Sequence, residues 1–182
     1  MADAACEFLA RVIEIFRSQK RLAEGAIVQL DDDGLHRALH AETNSVAVIM
    51  QHMAGNMRSR WTDFLTADGE KPWRGRDDEF IDGGRDRGAI MADWESGWSA
   101  LFGAVEGLTQ ADLERTVLIR GEPHSVPAAL IRQVSHYAYH VGQIVQVARV
   151  MVGEGAWRTL SIPRGGSAAF NQTMFGSKEP DS

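Results

Sequence analysis

Apolar residues return at roughly helical spacing between about Ala4 and Leu30: Phe8, Val12, Ile15 or Phe16, Leu22 and Ala26. Only the polar run Arg17-Ser18-Gln19-Lys20-Arg21 interrupts them, so the spacing predicts a first helix. Asp31-Asp32-Asp33-Gly34 breaks the pattern, and a less regular stretch is expected to run to Thr43. Asn44 or Ser45, both good N-caps, then opens a second helix to about Leu65. On a 100° wheel with His52 at zero, Ile49, Met50, Met53, Met57, Trp61 and Phe64 fill an arc from about 60° to 180°. His52 lies just outside that arc, on a narrow polar stripe shared with Ser45, Asn56, Ser59 and Asp63.

The segment from Ala67 to Gly84 is dense in Gly, Asp and Arg and is broken by Pro72, so it reads as a long loop. Loops of this length are often lids or binding loops. A third helix follows from about Arg85 to Glu106, with Ile90, Trp94, Trp98, Leu101 and Val105 as its core stripe. Thr116 to Arg120, then Gly121-Glu122-Pro123, then His124-Ser125-Val126 suggest a small hairpin. The fourth helix opens near Pro127 with Ser125 as its cap and continues to about Val152. With His136 at zero on the wheel, His140 falls near 40°, and Ile144, Tyr137, Ala148, Val141, Val134 and Val145 spread from about 80° to 180°. The histidine pair therefore borders an apolar face, as His52 does. The tail from about 155 to 182 reads as irregular, with a short helix around Ala168 to Thr173. The expected fold is all-α: one domain over 1–182, an antiparallel four-helix bundle with a long loop between its second and third helices.

Composition narrows the function classes. A chain of 182 residues buries roughly 70% of its unfolded surface, enough for a core without disulfides. The single cysteine, Cys6, has no internal partner, and a cytoplasmic setting is expected. No apolar run long enough for a membrane span is present, and the start lacks the pattern of a signal peptide. Lys and Arg total 19 against 25 Asp and Glu, a formal charge of −6, which argues against a broad phosphate-backbone surface. Neither nucleic acid nor membrane is an expected partner. The best local basic patch is Lys71 to Arg76.

His136 and His140, four residues apart, share one helical face and can reach a common ion. His52 from another helix would complete a facial set with open coordination positions, which marks a reactive centre rather than a closed structural one. The same spacing also suits boundary histidines hydrogen-bonded to carbonyls. His36 and His40 repeat it in a poorly periodic segment, where that bland role is favoured. Position 137 is Tyr, so the HExxH pattern of metalloproteases is absent and no carboxylate stands beside the first ligand. Asn56 is a candidate outer partner of the site or, on the favoured view, a helix-packing hydrogen-bonder. Tyr137 and Tyr139 are candidate proton donors, although Tyr137 reads as core and Tyr139 as surface. Trp73, Arg74 and Arg76 would line the cleft mouth and hold an anionic substrate, or else form a solvated loop. Arg164-Gly165-Gly166-Ser167 is either a backbone anion nest or a turn before a short helix.

Several segments together resemble the DinB/YfiT-like superfamily of small bacterial four-helix metalloproteins, in its branch of unassigned function. They are Asn44 to Ile49 leading to His52, Gly55 to Trp61, Asp68 to Trp73 with Arg76-Asp77, and Arg120-Gly121-Glu122. The likeness is strongest at His136 to Ile144 and closes at Leu160 to Ser167. The resemblance implies one metal ligand from the second helix and two from the fourth, which maps onto His52, His136 and His140. It also implies a homodimer. Related branches contain metal-dependent transferases that use low-molecular-weight thiols, which suggests an enzyme activating a thiol or water against a small electrophile. The metal would be Zn, Ni or Fe. The alternative is a metal-binding stress-response or binding protein without turnover.

Overall fold

The computed structural model describes residues 2–176. Among them are six helices and a two-stranded sheet: α1 (Ala2–Ile27), α2 (Asp32–His36), α3 (Val46–Trp61), α4 (Arg87–Val105), β1 (Thr116–Ile119), β2 (Glu122–Ser125), α5 (Val126–Val152) and α6 (Ser167–Phe175). Single 3-10 turns lie at Asp78–Phe80 and Ala111–Glu114. The four long helices share one core: α1 packs on α5 and α4, and α3 packs on α4 and α5. Phe16, Trp61, Trp94, Trp98 and Tyr137 fill its centre, with Met50, Met53 and Met57 as apolar filler. No helix among the described residues is long and apolar enough to cross a membrane.

The caps follow from local chemistry. Ser45 Oγ accepts from Val48 N at 3.2 Å, Asp86 from Ala89 N at 2.9 Å, and Ser125 from Ala128 N at 3.3 Å, each satisfying an orphan donor of a first turn. The Asp run does more than end α1. Asp31 Oδ1 accepts from Gly34 N at 2.7 Å, and Asp32 and Asp33 occupy the first turn of α2, where the helix dipole favours negative charge. Arg87 then donates to Leu30 O at 2.8 Å and pairs with Asp32 at 2.7 Å, tying α4 to the end of α1.

Two expectations shift. The second long helix ends at Trp61 rather than Leu65: Thr62 is extended, and Asp63 takes a φ of 50°. Phe64 keeps its buried place through a turn that packs its ring 4.8 Å from Trp61, so apolar periodicity outlasts the helix. The hairpin turn falls at Arg120-Gly121, with φ of 57° and 75°, the two-residue geometry that suits antiparallel strands. Gly165, at φ 80°, and Gly166 form a turn into α6, closed by Gly166 N donating to Pro163 O at 2.8 Å. Positions 177–182 of the tail lie outside the described residues.

The long loop decides where the site can be. In α3, 14 of 16 residues are buried, so this helix is covered on its polar side as well as its apolar one. Residues 67–80 supply the cover. Ser59 Oγ donates to Gly69 O at 3.0 Å and accepts from Lys71 N at 3.0 Å. The Lys71 ammonium donates to Ser59 O at 3.1 Å, so Lys71 is a buried plug and not part of a surface basic patch. Asp68 accepts from Arg120 N at 2.9 Å and Gly121 N at 2.6 Å, which clamps the loop to the hairpin turn.

Candidate metal centre

His52 stands in the middle of α3, and His136 and His140 lie one turn apart on α5. One donor nitrogen from each of the three lies within 4.8 Å of the other two. Ring centroids are 4.7 Å apart for His136 and His140, 4.8 Å for His52 and His140, and 5.6 Å for His52 and His136. The Nε2 atoms of His136 and His140 are 3.0 Å apart. A tetrahedral ion with metal–nitrogen bonds of about 2.0–2.1 Å sets its nitrogens about 3.3 Å apart, so this pair already has a ligand-like separation.

The far nitrogens of two rings are tied down. His52 Nδ1 lies 2.9 Å from Glu79 Oε2. Burial alone would raise the Glu79 carboxyl, but hydrogen bonds from Arg74 and His52 outweigh it and hold the group below the usual carboxylate range. An ionised carboxylate only accepts, so Nδ1 of His52 carries a proton and Nε2 is the nitrogen turned to the site. His140 Nδ1 lies 2.9 Å from Gln143 Oε1, and Gln143 Nε2 donates to Tyr139 Oη at 3.2 Å, which fixes the amide's orientation. His140 Nε2 therefore also presents a lone pair. Burial, then the neighbouring His140 and His52, push His136 down to about 3. Burial and His52 push His140 down to about 4. Both imidazoles are neutral at pH 7, the form that binds metal.

Glu79 reaches this position because of its own loop and one glycine. The 3-10 turn Asp78–Phe80 lies against α3, and Gln51 Nε2 donates to the carbonyls of Asp78, Glu79 and Ile81 at 3.0, 3.2 and 3.2 Å. Arg74 grips Glu79 with two bonds of 2.7 Å, from Nε and from Nη2. A Cβ at Gly55 would stand 2.1 Å from Glu79 Oε1, so only glycine lets the carboxylate come this close to the helix. The three imidazoles open onto a cavity of about 550 Å3, walled also by Phe80, Tyr139, Asn56 and several arginines.

A family model described as a protein of unknown function (DUF1572) matches residues 3–166. The chain belongs to the DUF1572 family. No curated protein and no solved structure matches it. The matched span holds all three histidines of this DUF1572 member, together with Glu79 and Arg74.

The other candidates divide. Asn56 lines the cavity, yet its Oδ1 accepts from Tyr137 Oη at 3.0 Å, and that hydroxyl accepts from Trp61 Nε1 at 3.0 Å. Tyr137 is thus a core hydrogen-bonder whose hydroxyl is raised by burial, and it is no proton donor to the site. Tyr139 is 63% exposed at the cavity edge. Arg74 is on the wall but committed to Glu79, while Arg76 lies over the Phe80 ring at 5.6 Å. Trp73 is 58% exposed and lies outside the lining of this cavity. His36 pairs with Asp82 at 2.8 Å and His40 takes a contact from Glu42 N at 3.5 Å, so these two serve local structure. Sequence reasoning missed Glu79 and Arg60. Arg60 did leave a signal: it falls near 80° on the α3 wheel, inside the arc of apolar residues.

Proposed function

We propose that this protein is a metal-dependent enzyme in which His52, His136 and His140 hold one divalent ion, Zn, Ni or Fe, at the floor of the cavity. The fold would be a DinB/YfiT-like four-helix bundle, supported by the packing of four long helices on one core. The observation that carries the proposal is the convergence of three imidazoles on one point beside an open cavity, two of them held by hydrogen bonds on their far side. When bound, the ion supplies Lewis acidity, lowering the pKa of a thiol or of water. Glu79 and Gln143 hold two of the rings in the tautomer that faces the ion, and Arg74 keeps Glu79 ionised.

The lining favours a thiol over water as the nucleophile. Among the described residues on the cavity wall none is acidic, and Glu79 is already occupied by Arg74 and His52, so no free carboxylate is placed to act as a general base. A small thiol loses its proton to solvent, its sulfur bonds to the electrophilic carbon, and the leaving group departs with the bonding pair. The test is metal analysis of untagged protein beside a His136→Ala variant, followed by reaction of the loaded protein with a thiol and a chromogenic electrophile. Metal at one per chain in the wild type, lost in the variant, with turnover only when thiol is present, supports the proposal. Equal metal in both removes the site. Bound metal that raises the melting temperature with no reaction selects the non-catalytic stress-response alternative. The homodimer belongs to the same proposal, and sedimentation of the full chain checks it.

A further inference from the structure

The cavity contains a charged group that the metal site does not use. Arg60 lies on α3 two turns after His52, is 4% exposed, and lines the same cavity. Its Nε and Nη1 are fully buried and have no hydrogen-bond partner. The guanidinium is not loosely placed: a Cβ at Gly69 would stand 2.3 Å from Nη1, so the loop is shaped around it. Asp68 is next to that glycine, but its oxygens accept from the backbone N–H groups of Glu70, Arg120 and Gly121 at 2.7, 2.9 and 2.6 Å. No protein carboxylate pairs with Arg60 among the described residues. A buried charge left in this state is strongly unfavourable unless something else meets it.

The surroundings say what would meet it. Arg132, exposed on α5, borders the same cavity and makes no ion pair among the described residues. Arg76 and Arg120 stand at its rim, and Arg120 has only a 3.3 Å contact with Glu70. In a chain of net charge −6 this wall carries arginines and no acidic residue in its described lining. Gln133, 2% exposed on the same wall, has a buried Oε1 without a partner. We propose that this end of the cavity is an anion subsite, in which Arg60 and Arg132 receive a carboxylate or phosphate group of the small-molecule ligand. A guanidinium presents a planar fork of donors that matches such oxyanions, and burial strengthens the contact. The metal-dependent reading is needed only for what happens at the ligand's other end; the anion contact stands on Arg60.

The test is titration calorimetry on the full chain, metal-free and zinc-loaded, with 3-mercaptopropanoate, its uncharged twin 3-mercaptopropanamide, and inorganic phosphate. In the wild type the acid binds about tenfold or more tighter than the amide, the range of a charge-assisted pair. Arg60→Gln removes that preference, and Arg132→Gln reduces it. Arg60→Gln melts no lower than the wild type, whereas an arginine with a merely structural role would melt lower when replaced. Phosphate competing with the acid in the wild type assigns the subsite to oxyanions generally; failure to compete confines it to carboxylates. Equal binding of acid and amide in the wild type, or a preference unchanged in both variants, overturns the proposal. If Arg60→Gln does not fold, the wild-type comparison and Arg132→Gln decide. An acid preference that persists without zinc, with no thiol-dependent gain when zinc is added, keeps the subsite and sinks the metal–thiol reading. A zinc-dependent thiol gain without any acid preference does the reverse.

Discussion

Replacing Glu79 by Gln keeps the shape of the side chain and removes one charge. In the native protein this carboxylate, 7% exposed, joins Arg74 through two 2.7 Å bonds and His52 through one of 2.9 Å. Breaking a buried pair from one side costs about 3–5 kcal/mol, because the partner charge is left uncompensated. Arg74 retains Glu70 at 3.4 Å, a partner closer to solvent, so a loss of about 2–3 kcal/mol is expected in urea unfolding of the metal-free protein. The amide also no longer dictates which His52 nitrogen carries the proton. Losing an outer partner of a ligating histidine lowers metal affinity about 10–100-fold. Competition against a chromophoric chelator reads that affinity directly. A Glu79→Gln protein that binds zinc as tightly as the wild type would refute the role given to this carboxylate, even if its stability fell.

Three further outcomes follow from the same geometry. Gly55→Ala would ordinarily stabilise a helix interior by about 1 kcal/mol, but here the new Cβ meets Glu79 Oε1 at 2.1 Å, so both stability and zinc affinity fall; a rise in melting temperature with unchanged affinity contradicts this. Tyr137→Phe leaves the indole N–H of buried Trp61 and the Asn56 oxygen unpartnered, costing about 1–3 kcal/mol while zinc affinity stays within twofold or so. In metal-free protein, His136 and His140 are depressed from 6.5 to about 3 and about 4, so below pH 6.5 the unfolded chain takes up protons that the folded one refuses. Stability is full above that pH and falls as pH drops from about 6.5 toward 4, and a flat stability–pH profile across this window would count against their burial as neutral rings.

Much of the architecture could be read from periodicity because the four long helices each carry an apolar face at helical spacing. The Ser45 and Ser125 caps and the Trp94/Trp98 stripe stand where local chemistry put them. In the periodicity the convergence of His52 with the α5 pair showed as two histidine edges of the same kind, and the family resemblance implied the same three ligands; the packing of α3 against α5 brings them together. Glu79 was hidden because it sits in a loop, where no period tells which side chain turns inward. Its position depends on tertiary contacts from Gly55, Gln51 and Arg74. For Arg74 the sequence left two places open, the cleft mouth or a solvated loop; its side chain stands on the cavity wall, 2% exposed and bound to Glu79. Trp73, its neighbour, turns the other way.

X-ray absorption at the metal edge of zinc-reconstituted protein tests the metal centre most directly. With one zinc per chain, the account predicts three imidazole nitrogens at about 2.0–2.1 Å plus one exchangeable water oxygen, and loss of that signature in His52→Ala. Zinc coordinated by fewer than three imidazoles, or a spectrum unchanged by His52→Ala, would contradict it.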